Sequence, residues 1–176
     1  MVRWDQRLET WIAAHRLGPI DSLARALSVL GTDGAVWLAI SAIVALALRR
    51  WGPLLWVAVA DALAQLATIS IKTAFPRARP NVETIVTEPS THSFPSGHAA
   101  SSFACALVLG SFVPRFRVPL FVLAALIAAS RAYAGVHFPS DVLAGALLGL
   151  LIGSLVLALR GATERRRSSS GPRAAQ

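Results

Sequence analysis

The chain has 176 residues, 55% hydrophobic and 15% charged, with a mean hydropathy of +0.57. Soluble domains carry about 25% charged residues, so the composition excludes an ordinary water-soluble globule and points to an integral membrane protein of one domain. The net charge of +8 does not mark a nucleic-acid binder: arginines sit at the ends of apolar stretches, and no basic run is interleaved with aromatics.

In chain order, Trp4, Leu8, Trp11 and Ile12 fall at helical spacing, while Arg3, Asp5, Arg7, Glu9 and Arg16 spread over the other face. This pattern predicts an amphipathic helix at the membrane interface. The segment lacks the apolar centre of a cleavable signal peptide. Gly18-Pro19 breaks it, and a second short helix is expected over 20–30, where Asp21 and Arg25 argue against a span. Five apolar runs follow near 34–50, 53–72, 97–113, 118–135 and 139–160, at or near the length of about 20 residues that a bilayer requires. The expected fold class is therefore all-α: a polytopic transmembrane helical bundle of five spans plus an N-terminal interfacial helix, with room for a sixth. Residues 1–163 form the domain, with interfacial helices over 1–30 and a core over 34–160. The Arg- and Ser-rich stretch 164–176 reads as a disordered tail. Cys105, the single cysteine, lies in an apolar run and reads as a packing residue.

Arg49 and Arg50, then Arg115 and Arg117, then Arg160 and Arg165–Arg167 alternate onto one side, which the positive-inside rule assigns to the cytoplasm. The opposite side receives three polar motifs: Lys72-x6-Arg79-Pro80, Pro95-Ser96-Gly97-His98, and Ser130-Arg131-x3-Gly135-x-His137-x3-Asp141. Alternation of spans alone brings them to one face, outside the cytoplasm. Asp61, Gln65, Thr68 and Lys72 form a polar stripe at helical spacing, whose first three members read as helix–helix contacts. Asp141, Gly145, Gly149 and Gly153 recur every four residues, a small-residue ridge for close helix packing.

Three permanent cations, Lys72, Arg79 and Arg131, suit a phosphate: an opposite charge at about 4 Å contributes roughly 4 kcal/mol at an effective dielectric of 20. Ser96 and Gly97 open a helix, where free amides and the dipole favour an anion; Ser96 as a simple N-cap is the plainer alternative. His137 with Asp141 four residues on fits a nucleophile and the carboxylate that orients it, and His98 fits the acid for the leaving oxygen. A metal site built on His98, His137 and Asp141 is disfavoured by the surrounding cations. Arg77 reads as a snorkelling interfacial arginine, His15 and His92 as bland, and Glu83 and Glu88 as solvated loop charges able to shape substrate choice.

On these three complete motifs, over residues 72–141, the chain resembles the type-2 phosphatidate phosphatase superfamily, which shares its site with vanadium haloperoxidases. The resemblance implies a metal-independent lipid phosphatase with no cofactor, working through a phosphohistidine. Lys72, Arg79, Ser96, Gly97 and Arg131 would bind phosphate, His98 would protonate the leaving group, and His137 would attack, oriented by Asp141. It also implies a cell-membrane location, a lipid phosphate as substrate and no nucleic-acid partner. Relatives commonly show six spans. Undecaprenyl diphosphate is the first substrate expected, with phosphatidylglycerol phosphate, phosphatidate, lipid A phosphate and prenyl-phosphoryl sugars as alternatives. A non-catalytic lipid-phosphate binder or transporter is the competing class; five expected spans with no large soluble domain disfavour a haloperoxidase.

Overall fold

The computed structural model describes residues 3–88 and 90–169. They fold as seven α-helices: α1 (Arg3–Ala14), α2 (Gly18–Leu30), α3 (Ala35–Leu48), α4 (Gly52–Ala74), α5 (Gly97–Gly110), α6 (Arg117–Tyr133) and α7 (Pro139–Ser169). Short 3-10 turns at Thr32–Gly34 and Pro114–Phe116 lead into α3 and α6. Prolines stand in the first turns of α2, α4 and α7, where a missing N–H costs nothing and φ is already set.

Three helical stretches are long and apolar enough to cross a membrane: Gly52–Ala74, Pro114–Tyr133 and Pro139–Arg166. The five expected spans are all helical, but two fall short of the expected length. α3 has 14 residues and reaches span length only jointly with α2, across a bend of 65°. Arg49, in the left-handed region (φ 52°), ends it, and Arg50 N–H donates back to Ala45 O at 2.9 Å. α5, also of 14 residues, rises only about 21 Å. It does not need to face lipid, because α4, α6 and α7 pack around it.

Small residues set how closely these helices approach. A Cβ on Gly145 would strike the carbonyl oxygen of Ser96, and one on Gly149 that of Ala100; at Gly153 it would lie 3.1 Å from Ala104 O. The ridge on α7 thus lies directly against the α5 backbone, as the spacing predicts. The other face of α7 exposes Leu143, Leu147, Leu151, Leu155 and Leu159, a stripe for lipid. Trp37, Val57, Leu109, Ile127 and Val156 fill the core, together with the buried Cys105. The polar stripe of α4 is structural above Lys72. Asp61 accepts from Gln65 Nε2 at 2.7 Å and from Ser101 Oγ, and Thr68 Oγ1 donates to Ala64 O at 2.6 Å.

Two terminal features depart from expectation. In α1 the apolar side chains Trp4, Leu8 and Trp11 face outward, while Asp5 and Glu9 are buried at 0% and 1% exposure against the bundle. The helix is amphipathic, but its acidic face is turned to the protein, where Asp5 meets Arg77 and the Ser140 N–H. α7 continues through Ser169, so the tail expected from Glu164 is helical over its first residues; an Arg160–Glu164 pair at 2.9 Å and an Arg160–Ser111 hydrogen bond support that turn. Residues 170–176 lie outside the described residues.

Candidate active site

The ends of α4 and α6 and the starts of α5 and α7 meet at one end of the bundle, capped by the loop 75–96. Arg50, Phe112 and Arg160 meet at the other end, around a cavity of about 780 Å³. The loop is held by its own backbone: Ala78 and His92 form an antiparallel bridge, Ser93 N–H donates to Arg77 O at 2.8 Å, and Ile85 N–H to Ala134 O at 3.1 Å. Between α6 and α7 the chain turns at Gly135, whose φ of +79° an L side chain rarely adopts. A Cβ there would lie 2.6 Å from Arg16 Nη2 and 2.8 Å from Glu83 O. This glycine is what lets Arg131 and His137, six residues apart, face one centre.

That centre holds the two motif arginines on one carboxylate. Arg79 Nη2 donates to Glu88 Oε2 at 3.1 Å, and Arg131 Nη2 donates to Glu88 Oε1. Arg79 is fixed further by Ser90 O at 2.7 Å and Val136 O at 2.5 Å. Arg131, 1% exposed, gives Nη1 to Ser28 Oγ, and its Nε has no protein partner. Glu88 is therefore not the solvated loop charge expected from the sequence. Burial alone would raise its carboxyl, but Arg131 and then Arg79 overcome that and hold it below the ordinary glutamate value. Lys72, at the end of α4, lies within electrostatic reach of Arg79, Glu88, Arg131 and Asp141.

The other expected residues surround this pair. His98 Nε2 is 3.2 Å from Ser28 O. Gly31 packs so tightly on the His98 ring that a Cβ would lie 2.9 Å from its Cδ2. Ser96 is fully buried, and its hydroxyl has no hydrogen-bond partner among the described residues and does not cap α5. Its backbone N–H instead donates to Asp141 O at 3.0 Å, which ties the starts of α5 and α7 together. At Gly97 a Cβ would meet only Thr68 Cγ2 at 3.5 Å, an ordinary contact, so packing within the protein does not demand glycine there.

His137 and Asp141 are neighbours without a hydrogen bond. His137 Nδ1 lies 3.8 Å from Asp141 Oδ2 and has no hydrogen-bond partner among the described residues. The carboxylate is otherwise engaged: Oδ2 accepts from Phe138 N–H at 2.9 Å, and Oδ1 from Arg77 Nη1 at 2.6 Å. Burial pushes the His137 imidazole down to about 4, against the electrostatic pull of the nearby Asp141 carboxylate, so the ring is neutral near pH 7.

Arg77 is the second residue that sequence reasoning missed. It is no snorkelling side chain: it binds Asp141, Asp5 Oδ2 (2.6 Å) and Ser140 Oγ (2.8 Å), and lies 4.2 Å over the Phe138 ring. The sequence carried no signal for it: Asp5 meets Arg77 only because α1 turns its acidic face inward, which an amphipathic pattern does not fix. His15 and His92 are as bland as expected: the His15 ring bonds Trp11 O, and His92 contributes only backbone to the centre. Among the described residues no group of three His, Cys, Asp or Glu is arranged to hold a metal ion.

A bundle with these motifs at one end and this length of match defines the class. Residues 53–165 match the pattern of the PAP2 superfamily, and the chain belongs to that family. It is a multi-pass membrane phosphoric-ester hydrolase. It is 39% identical over 149 residues, 82% of each chain, to decaprenylphosphoryl-5-phosphoribose phosphatase of Mycobacterium tuberculosis. Among solved structures it superposes on the PAP2-type phosphatidylglycerolphosphate phosphatase of Bacillus subtilis with a TM-score of 0.75 at 27% identity, covering 90% of this chain and 85% of that one. It also superposes on LpxE of Aquifex aeolicus with a TM-score of 0.72 at 31% identity, covering 86% and 93%.

Proposed function

We propose that this protein removes a terminal phosphate from a polyprenyl-linked lipid, at the extracytoplasmic face of the cell membrane, through a phosphohistidine intermediate. The observation that carries the reading is the seat between Arg79 and Arg131: two guanidiniums already grip one anionic group beside His137 and His98. A substrate phosphate replaces the Glu88 carboxylate there. Arg79, Arg131 and Lys72 take its oxygens, with the unpartnered Ser96 hydroxyl and the open approach at Gly97 alongside.

Neutral His137 then attacks phosphorus through Nε2. The N–P bond forms, the P–O bond to the lipid breaks, and the leaving oxygen takes a proton from His98. Water next attacks the phosphohistidine with His98 as base, releasing inorganic phosphate and the free imidazole. Asp141 accepts a hydrogen bond from Nδ1–H and stabilises the cationic imidazole, which keeps that proton throughout; this requires the 3.8 Å gap to close by a small ring movement.

The choice of lipid rests on the relative that matches over 82% of both chains, which acts on decaprenylphosphoryl-5-phosphoribose. Undecaprenyl diphosphate remains the comparison substrate. The orientation rests on Arg49, Arg50, Arg115, Arg117 and Arg160 lying at the bundle end away from the motifs. The test is phosphate release by detergent-solubilised protein from decaprenylphosphoryl-5-phosphoribose, undecaprenyl diphosphate and phosphatidate, with and without EDTA. Release that persists in EDTA and collapses in His137→Ala, while lipid binding persists, is expected. No release from any lipid phosphate, or unchanged turnover in His137→Ala, counts against the reading.

A further inference from the structure

Beside Arg131 lies space that the chemistry above leaves unused. A cavity of about 530 Å³ opens between α2 and the loop segment 84–88, with Arg131 and Glu88 at its inner end. Arg25 and Ser28 of α2, at positions i and i+3 on one helix face, line one wall together with Thr32 of the following 3-10 turn. Ser28 Oγ holds Arg131 Nη1, so about 4.5 Å of helix rise separates the contact that fixes the phosphate-gripping arginine from Arg25.

Arg25 is a poor fit to a purely structural role. It is exposed on a helix whose other exposed side chains include Ile20, Leu23, Val29 and Leu30, and among the described residues it forms no ion pair. Asp21, one turn before it, accepts from the Tyr133 hydroxyl at 2.8 Å. Glu88, the one acid lining the cavity among the described residues, is held by Arg79 and Arg131 in the free protein. Across from Arg25 the wall offers Thr84 and Thr87, neither of whose hydroxyls is hydrogen-bonded among the described residues. A free guanidinium, free hydroxyls and an apolar lip of Val29 and Val86 describe one kind of guest: an anion joined through a hydroxyl-bearing spacer to the phosphate in the main seat, with an apolar chain leaving beside it.

We propose that this cavity binds the second anionic group of a polyprenyl-phosphoryl sugar phosphate. Arg25 holds the bridging phosphodiester and Thr84 and Thr87 face the sugar, while the terminal monoester lies between Arg79 and Arg131. This deepens the phosphatase reading and rests on it. Phosphatidate has no second anion for Arg25. The two phosphates of a polyprenyl diphosphate share one oxygen, so no spacer carries the second towards α2.

The test compares KM for decaprenylphosphoryl-5-phosphoribose and for phosphatidate in the wild type, Arg25→Ala, Arg25→Lys and Thr84→Val/Thr87→Val. In Arg25→Ala the KM for the sugar phosphate is expected to rise about tenfold more than that for phosphatidate, with little change in kcat. Arg25→Lys restores part of the difference, and the double valine variant shows a smaller change of the same sign. An equal rise for both substrates means Arg25 only anchors α2, and overturns the proposal; so does no change for either. A wild-type enzyme that cleaves phosphatidate but not the sugar phosphate overturns this proposal and leaves the phosphatase reading standing. If neither is cleaved, this proposal is overturned, and the phosphatase reading falls with it only if undecaprenyl diphosphate is not cleaved either.

Discussion

Arg77 Nη1 lies 2.6 Å from Asp141 Oδ1, while its Nη2 lies 2.6 Å from Asp5 Oδ2. One guanidinium therefore joins the N-terminal helix to the carboxylate beside His137. Two fully buried carboxylates face it, so its removal leaves both uncompensated, at a cost of about 3–5 kcal/mol. Arg77→Ala is expected to lower the thermal midpoint sharply. Arg77→Lys keeps the charge but cannot span both carboxylates. It should fold, and kcat should fall by about tenfold or more with KM within about twofold, because only the orientation of Asp141 is lost. A kcat equal to that of the wild type in Arg77→Lys removes Arg77 from the positioning of Asp141.

If substrate phosphate takes the seat between Arg79 and Arg131 as proposed, it competes there with Glu88. Replacing it with glutamine removes the charge that fills the seat but keeps the side-chain shape. Inhibition by inorganic phosphate and by vanadate should tighten in Glu88→Gln, by about tenfold for each 1.4 kcal/mol of competition removed. Weaker inhibition by both anions would mean that Glu88 organises the two arginines rather than opposing the ligand.

Much of this site is legible in the sequence because its parts are backbone signals and permanent charges. Gly135 marks a turn that needs a positive φ, Pro139 a helix start, and the Gly145–Gly149–Gly153 spacing a close helix contact. Span alternation then brings Arg79, Arg131, His98 and His137 together without any knowledge of loop structure. Glu88 and Arg77 were hidden for the opposite reason. Both stand on the loop 75–96, whose path depends on an isolated bridge between Ala78 and His92, not on a periodic pattern. The outward turn of Trp4 and Trp11 was likewise invisible, since an amphipathic pattern fixes two faces but not which of them meets the protein. The shortness of α5 follows from its central position, and hydropathy cannot tell a buried helix from a lipid-facing one.

His137 is neutral in the free enzyme well below the ordinary histidine range, because burial holds it at about 4. The acid limb that its protonation imposes on kcat/KM should therefore fall near pH 4, not near 6.5. Nitrogen-labelled histidine NMR with His137→Gln as the assignment control measures this directly. A His137 titration midpoint near 6.5 would mean that water reaches the ring in solution, and would withdraw the argument for a ready nucleophile.

The α5–α7 seam sets the distance between His98 and Asp141. Gly149→Ala would drive a methyl group into Ala100 O, whereas at Gly153 the nearest atoms are 3.1 Å away. Overpacking of this kind typically costs about 1–3 kcal/mol. Gly149→Ala should lower the thermal midpoint and the activity clearly more than Gly153→Ala. Equal effects at the two positions would show that the helices can separate freely, and that the seam does not fix the site.

Glu9 gives the fold a pH dependence separate from catalysis. Its carboxyl is 1% exposed, neither oxygen has a hydrogen-bond partner among the described residues, and burial raises its pKa to about 8, against the pull of Arg16. The folded state thus keeps a proton that the unfolded chain releases near its ordinary value of 4.5. Between those two values the native state binds more protons than the unfolded one, so stability falls as pH rises through this window. Below the window the contribution is fully present, and above about 8 it is lost, as α1 must carry a buried charge beside Asp5 and Asp141. Glu9→Gln places a neutral isostere at the same position. Its thermal midpoint should exceed that of the wild type at pH 8 and approach it at pH 5. Parallel pH profiles for the two proteins would show that Glu9 ionises freely in the folded state, and that α1 does not seal its acidic face against the bundle.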